Sequence, residues 1–193
     1  MSSEKSLIVF DTNTIRSVIG GEPRYDSFDF GNEFNKLYNF IEDNNLREFI
    51  TLAITEMTLG ELLKQKKKSF KKDLTNFKLS ANRLSTLENV SIQNFILPDE
   101  EFDIENYLSP KVEFFLEEKK IRIIKLKHSD KARILGTLVE KVLETESPFR
   151  ENGQGFKDAI IMETLLHDTH LSRYNNFILV TKDREFDNCI KRV

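Results

Sequence analysis

One stretch constrains the fold of this chain more than any other: Leu7-Ile8-Val9-Phe10-Asp11-Thr12-Asn13-Thr14. Four consecutive apolar residues, β-branched and aromatic among them, predict a short strand buried on both faces, as in the interior of a parallel sheet. The run stops abruptly at an aspartate and three small polar residues. In open α/β sheets, ligands bind beyond the carboxyl ends of the strands, which is where Asp11 falls. An ordinary strand-to-helix turn, with Asp11 or Thr12 capping the next helix, accounts for the same residues taken alone. Whether other carboxylates reach the same edge separates the two readings.

After a break at Gly20-Gly21-Glu22-Pro23, Phe34, Leu37, Tyr38 and Ile41 fall on one face of a helix predicted from about 31 to 44. Phe49 to Ile54 predicts a second strand, passing through Thr55–Thr58 into a helix that carries Leu59, Leu62, Leu63 and Phe70. Residues 73–90 are weakly helical, 98–103 form an acidic loop, and a helix follows at about 111–120. Residues 70–120 therefore read as a helical insertion. Ile121–Leu126 and Phe177–Thr181 predict two more strands. Between them, Ser129-Asp130 can cap a helix with a wide apolar face (Ile134, Leu135, Leu138, Val139, Val142, Leu143), and a second helix is predicted from about 157 to 167. Strands alternating with helices predict an α/β domain with a mostly parallel sheet. At 193 residues the chain reads as a single domain, 1–193, with no internal repeat.

In that topology four carboxylates can face one sheet edge. Asp11 ends the first strand, and Glu61 lies early in the helix after the second. Asp158 opens the helix before the fourth strand, and Asp183 lies just beyond that strand. Each has a local explanation: a capping box over Thr58-Leu59-Gly60-Glu61, a helix dipole for Asp158, a cap for Asp183. Glu56 could take the place of Glu61 in another helix register, and Glu185 or Asp187 could share the role of Asp183. Clustered carboxylates repel one another unless a cation neutralises them, and ligation by oxygen alone selects hard ions such as Mg²⁺ or Mn²⁺.

Asp11-Thr12-Asn13, Glu61, Gly155-Phe156-Lys157-Asp158-Ala159-Ile160-Ile161 and Val180-Thr181-Lys182-Asp183-Arg184-Glu185-Phe186, in that order, resemble the PIN-domain family of nucleases. The nearest branch is a PIN-like group known only as a domain of unknown function. The resemblance implies a three-layer α/β/α fold around a mostly parallel twisted sheet of four to five strands. It implies a metal-dependent endonuclease in which Asp11, Glu61, Asp158 and Asp183 hold one or two Mg²⁺ or Mn²⁺ ions. Asn13 and Thr181 match small polar positions beside the metal. Hydrolysis of a phosphodiester would leave a 5′ phosphate and a 3′ hydroxyl, with RNA favoured over DNA and a toxin or defence effector as the setting. An antitoxin, a defence-system protein or a second copy of the chain are the partner classes it leaves open.

Charge must then supply substrate contacts locally, because the net charge is −3. Arg150 and Lys157 flank the acidic positions in sequence and could hold phosphates; exposed loop charges are the competing reading. Residues 64–72 hold six lysines in nine positions. This is either a solvated helix face or a phosphate-binding ridge, with Lys66, Lys67, Lys71 and Lys72 as its contacts. The lone cysteine, Cys189, leaves no internal disulfide, and no apolar run is long enough to span a membrane. The N-terminus lacks a long apolar segment, so a cytoplasmic protein is expected.

Two rivals are weighed against this. A haloacid-dehalogenase-type phosphatase needs an acid where Asn13 stands, and an amide cannot be a general acid. An inactive PIN scaffold serving as a binding module would keep the fold without the cut. His128, His167 and His170 suggest zinc, but with no cysteine nearby they read as surface or capping residues.

Overall fold

The computed structural model describes residues 4–16, 24–87, 102–144, 149 and 155–182. Four strands form one all-parallel sheet: β1 (Ser6–Phe10), β2 (Ile50–Thr55), β3 (Arg122–Ile124) and β4 (Asn176–Val180), in the order β3-β2-β1-β4. β1 is central. Phe10 lies beside Ile54 on one flank and Val180 on the other, so all three chains reach the carboxyl edge in register.

The alternation of side chains along β1 builds two cores. Ile8 and Phe10, with Leu52 and Ile54 of β2, face a core closed by α2 (Asn32–Asp43), α3 (Glu56–Leu84) and α4 (Ile104–Glu118). Phe10, Phe28, Phe30, Phe34 and Phe115 meet there, mostly edge to face. Leu7, Val9 and Ala53 face the other way, onto Ile161, Met162 and Leu165 of α6 (Phe156–Leu166). The chain is thus a three-layer α/β fold, and the continuous apolar run of β1 is explained by cover on both faces. Gly31, before α2, sits so close to the end of α1 (Thr12–Ile15) that a Cβ would lie 2.7 Å from the Arg16 carbonyl oxygen.

Three helix boundaries differ from the sequence expectation. α3 begins at Glu56 because Thr55 is its N-cap, its hydroxyl accepting from the Thr58 amide at 3.1 Å; Thr58 and Glu61 form no capping box. α3 also runs unbroken to Leu84, where a weak helical pattern was expected beyond Asp73. α4 begins at Ile104, earlier than about 111, because the Asp103 carboxylate caps the amides of Glu105 and Asn106. The wide apolar face of α5 (Lys131–Leu143) is only half covered. Ile134 and Leu138 are buried, whereas Leu135, Val139, Val142 and Leu143 are exposed among the described residues. No helix among the described residues is long and apolar enough to cross a membrane.

Candidate active site at the carboxyl edge of the sheet

Asp11 leaves β1 at the carboxyl edge and caps α1, its Oδ1 accepting from the Thr12 amide at 2.7 Å. The turn is stitched to β4. The Asp11 amide donates to the Val180 carbonyl at 3.0 Å, and the Thr14 hydroxyl lies 2.7 Å from the Asp11 carbonyl and 3.1 Å from that of Val180. Thr181, just beyond β4, donates its hydroxyl to Asp11 Oδ2 at 3.2 Å. Asp11 is therefore a helix cap and a buried carboxylate at once, only 3% exposed.

Burial pushes the Asp11 carboxyl above its usual range. Hydrogen bonds from the Thr12 amide, the Thr181 hydroxyl and the Asn13 amide pull the other way, and the charge of Glu61 adds to the rise. Glu61 lies in the second turn of α3 and reaches the same corner: the Thr12 hydroxyl donates to its Oε2 at 2.6 Å. Its Oε1 pairs with the Lys157 ammonium, which arrives from the first turn of α6. Three elements distant in sequence thus converge through Asp11, Thr12, Glu61 and Lys157.

The positions expected to share this site fare differently. Asp158 follows Lys157 in the first turn of α6 and is half-buried. Gly155, with φ 103°, turns the chain into that helix in a conformation that disfavours any side chain. Asn13 keeps an exposed side chain, and only its amide addresses Asp11. Glu56 is exposed in the first turn of α3, so Glu61 is the residue of this helix that meets Asp11's neighbour. Asp183, Glu185, Asp187 and Arg150 lie outside the described residues.

Two of the four lysines expected on a phosphate ridge are engaged elsewhere. Lys66 donates to the carbonyls of Arg24 and Ser27 at 2.8 and 3.2 Å, and Lys67 pairs with Glu105 of α4 at 3.0 Å. His167 is bound to its own helix, its Nδ1 lying 2.9 Å from the Glu163 carbonyl, and His170 sits beside Asp168. Neither joins a group of three or more metal-ligating side chains among the described residues. Sequence reasoning missed Thr12, whose hydroxyl bridges Asp11's turn to Glu61. Its signal was only a hydroxyl directly after the strand-ending acid.

Among the described residues no group of three or more His, Cys, Asp or Glu side chains is arranged to hold a metal ion. Glu61 is satisfied by Thr12 and Lys157, and the expected fourth acid lies outside those residues. The donors that are in place still suit a hard divalent cation. They are all oxygen, and the buried Asp11 carboxylate pairs with no basic side chain among the described residues.

A family profile described as a PIN domain matches residues 8–186. Nothing among curated proteins or solved structures matches the chain.

Proposed function

Because the chain belongs to the PIN-domain family, whose members are generally nucleases, we propose that it is a metal-dependent endonuclease acting at the carboxyl edge of the sheet. The observation that carries this is the convergence of Asp11 and Glu61, fifty positions apart, on one threonine beside a strand end: the Thr12 amide donates to the buried Asp11 carboxylate and the Thr12 hydroxyl to Glu61. Carboxylates there would hold Mg²⁺ or Mn²⁺, with Asp158 and Asp183 as the further ligands. A divalent cation so held supplies water activation and charge neutralisation for phosphodiester hydrolysis.

The chain's own groups do the positioning. Thr12 fixes the Glu61 carboxylate by donating to Oε2, while Oε1 pairs with the Lys157 ammonium. The Thr181 and Thr12 bonds hold Asp11 in one rotamer, so its geometry is set before any ligand arrives. Lys157, exposed over most of its side chain, is suited to meet a substrate phosphate, and Arg150 and Asn13 are further candidates for substrate contact. RNA as the substrate, and a toxin or defence role under an antitoxin, rest on the family resemblance alone.

One observation favours the alternative of a PIN scaffold that binds without cutting: Glu61 already has a counter-charge in Lys157. A single experiment separates the two. Labelled single-stranded RNA, tRNA, and single- and double-stranded DNA are each incubated with the protein in Mg²⁺, Mn²⁺ or EDTA. Cleavage of any of them that EDTA abolishes is the expected result. Metal-dependent binding with every substrate intact would establish the scaffold instead.

A further inference from the structure

Helix α3 sorts its lysines onto two sides. Lys66 and Lys67 are tied to the body of the protein by the bonds described above, and Lys66 also lies 5.7 Å from the centre of the Phe28 ring. Phe70 shares that side. Its ring meets Tyr25 edge-on at 5.3 Å and Phe102 at 5.5 Å, while the Tyr25 hydroxyl donates to Asp73 at 2.6 Å. These contacts fasten the far side of α3 to residues 24–28 and to the start of α4.

Lys64, Lys68, Lys71 and Lys72 are exposed, and none makes an ion pair among the described residues. They lie 3, 7, 10 and 11 positions after Glu61. At 3.6 residues per turn this places them within an arc of roughly 100° that also contains Glu61, whereas Lys66, Lys67 and Phe70 fall outside it. From Lys64 to Lys72 the stripe is about 12 Å long, with a charge at roughly each turn.

We propose that this stripe is the track along which a single nucleic-acid strand lies, its phosphates passing from Lys72 toward Lys64 and delivering a phosphodiester to the Asp11–Glu61 corner. The inference deepens the nuclease reading and rests on it. Three features point to a phosphate backbone. The charges are lysines, flexible point charges that attract phosphates without reading bases. They repeat along a line, and the line ends at the acidic corner. The chain as a whole carries a net charge of −3, so the stripe stands out as a local cationic feature that general attraction to polyanions does not explain. The bonds on the opposite side hold the helix still, so the charges keep their spacing.

The test uses the full chain in EDTA and a fluorescein-labelled single-stranded RNA, with binding read by anisotropy from about 50 to about 200 mM salt. The variant is Lys64→Gln, Lys68→Gln, Lys71→Gln and Lys72→Gln together. The charge control is Lys5→Gln with Lys120→Gln, both exposed at the amino edge of the sheet. Four lost phosphate contacts should flatten the log–log salt slope by up to about 3 and weaken binding about tenfold or more at the lowest salt. The control should bind as the wild type does, and both variants should melt with it. An unchanged slope and affinity in the quadruple variant, while the wild type binds and cuts, overturns the track and leaves the nuclease reading standing. A wild type that neither binds nor cuts any strand overturns both.

Discussion

Two aspartates, Asp11 buried and Asp168 half-buried, sit in opposite electrostatic settings. Asp168, after α6, receives the Arg122 guanidinium at 2.6 Å and the His170 amide at 3.2 Å. Burial pushes its carboxyl up, but the hydrogen bond and charge of Arg122, helped by His170, outweigh that and hold it below the usual range. Asp11 is more deeply buried, its donors are neutral, the nearby charge is the anion Glu61, and its carboxyl is held above the usual range. Asp168 carries its counter-charge within the fold; Asp11 pairs with no basic side chain among the described residues, and in the proposed function a divalent cation would supply that charge. A carboxylate left in that state lowers stability, which is consistent with the proposed role of Asp11 in holding a cation.

The sharpest way to break the comparison is to neutralise each acid in turn. Asp11→Asn should lower cleavage by about a thousandfold or more, since charge stabilisation at a metal centre accounts for several kcal/mol. The metal-free variant should melt no lower than the wild type, because a charge disfavoured by burial is gone. Asp168→Asn should do the reverse, leaving cleavage intact while costing about 2 kcal/mol, because it strips the partner from a partly buried guanidinium. Arg122 Nη1 and Asp168 Oδ2 already lack hydrogen-bond partners among the described residues, so the Arg122 Nη2 bond carries much of that pair. Cleavage assays and metal-free melts of the two variants decide it. Full cleavage by a folded Asp11→Asn protein would remove Asp11 from the site.

The same contrast predicts mirror-image pH behaviour in EDTA. A carboxyl held below its usual value stabilises the fold above about pH 4, and that stability is lost as the pH falls through its folded value. The melting advantage of the wild type over Asp168→Asn should therefore shrink below about pH 4. A carboxyl held above its usual value is a burden only when ionised, so stability falls as the pH rises through that range. Any advantage of Asp11→Asn over the wild type should be present at neutral pH and vanish toward acid. Two parallel curves would mean that the two aspartates do not differ as described.

How much of this was readable beforehand follows from the range of each interaction. β1 with its terminal Asp11, the buried face of α2 and the helix carrying Asp158 were all legible, because apolar runs and periodicities are local and burial enforces them. α1 was not, since four residues are too few to show a period. The capping box that Thr58 and Glu61 offered as a local alternative does not form, because Thr55, another threonine ahead of an acidic residue, is the cap. Glu61 was expected near this edge as an early residue of its helix, but its bonds to Thr12 and Lys157 span 49 and 96 positions, which no local pattern encodes. Lys66 and Lys67 looked like Lys71 and Lys72 in sequence. Only the path of residues 24–28 and of α4 shows that they face inward.

The smallest effect sharpens the comparison at Glu61, which stands between the two aspartates in character: an acid of the candidate site that already has a basic partner. The Lys157 side chain is 58% exposed, so the pair adds little to stability, and Lys157→Gln should shift the metal-free melt by well under about 1 kcal/mol. Its influence on a bound cation should be larger. A positive group resting on Glu61 competes with a divalent ion for the same oxygen and repels it thereafter, so its removal should tighten Mn²⁺ binding by about three- to tenfold in calorimetry. Mass action carries that gain into the melt, where saturating Mn²⁺ should raise the variant's melting temperature more than the wild type's. Removing Lys157 should at the same time weaken substrate binding if the ammonium also meets a phosphate. Tighter metal binding with weaker RNA binding in one variant would place Lys157 at the junction of the two. Unchanged Mn²⁺ affinity would mean that Glu61 and its lysine form a fixed structural pair, as Asp168 and Arg122 do, and that the cation is held by the other acids.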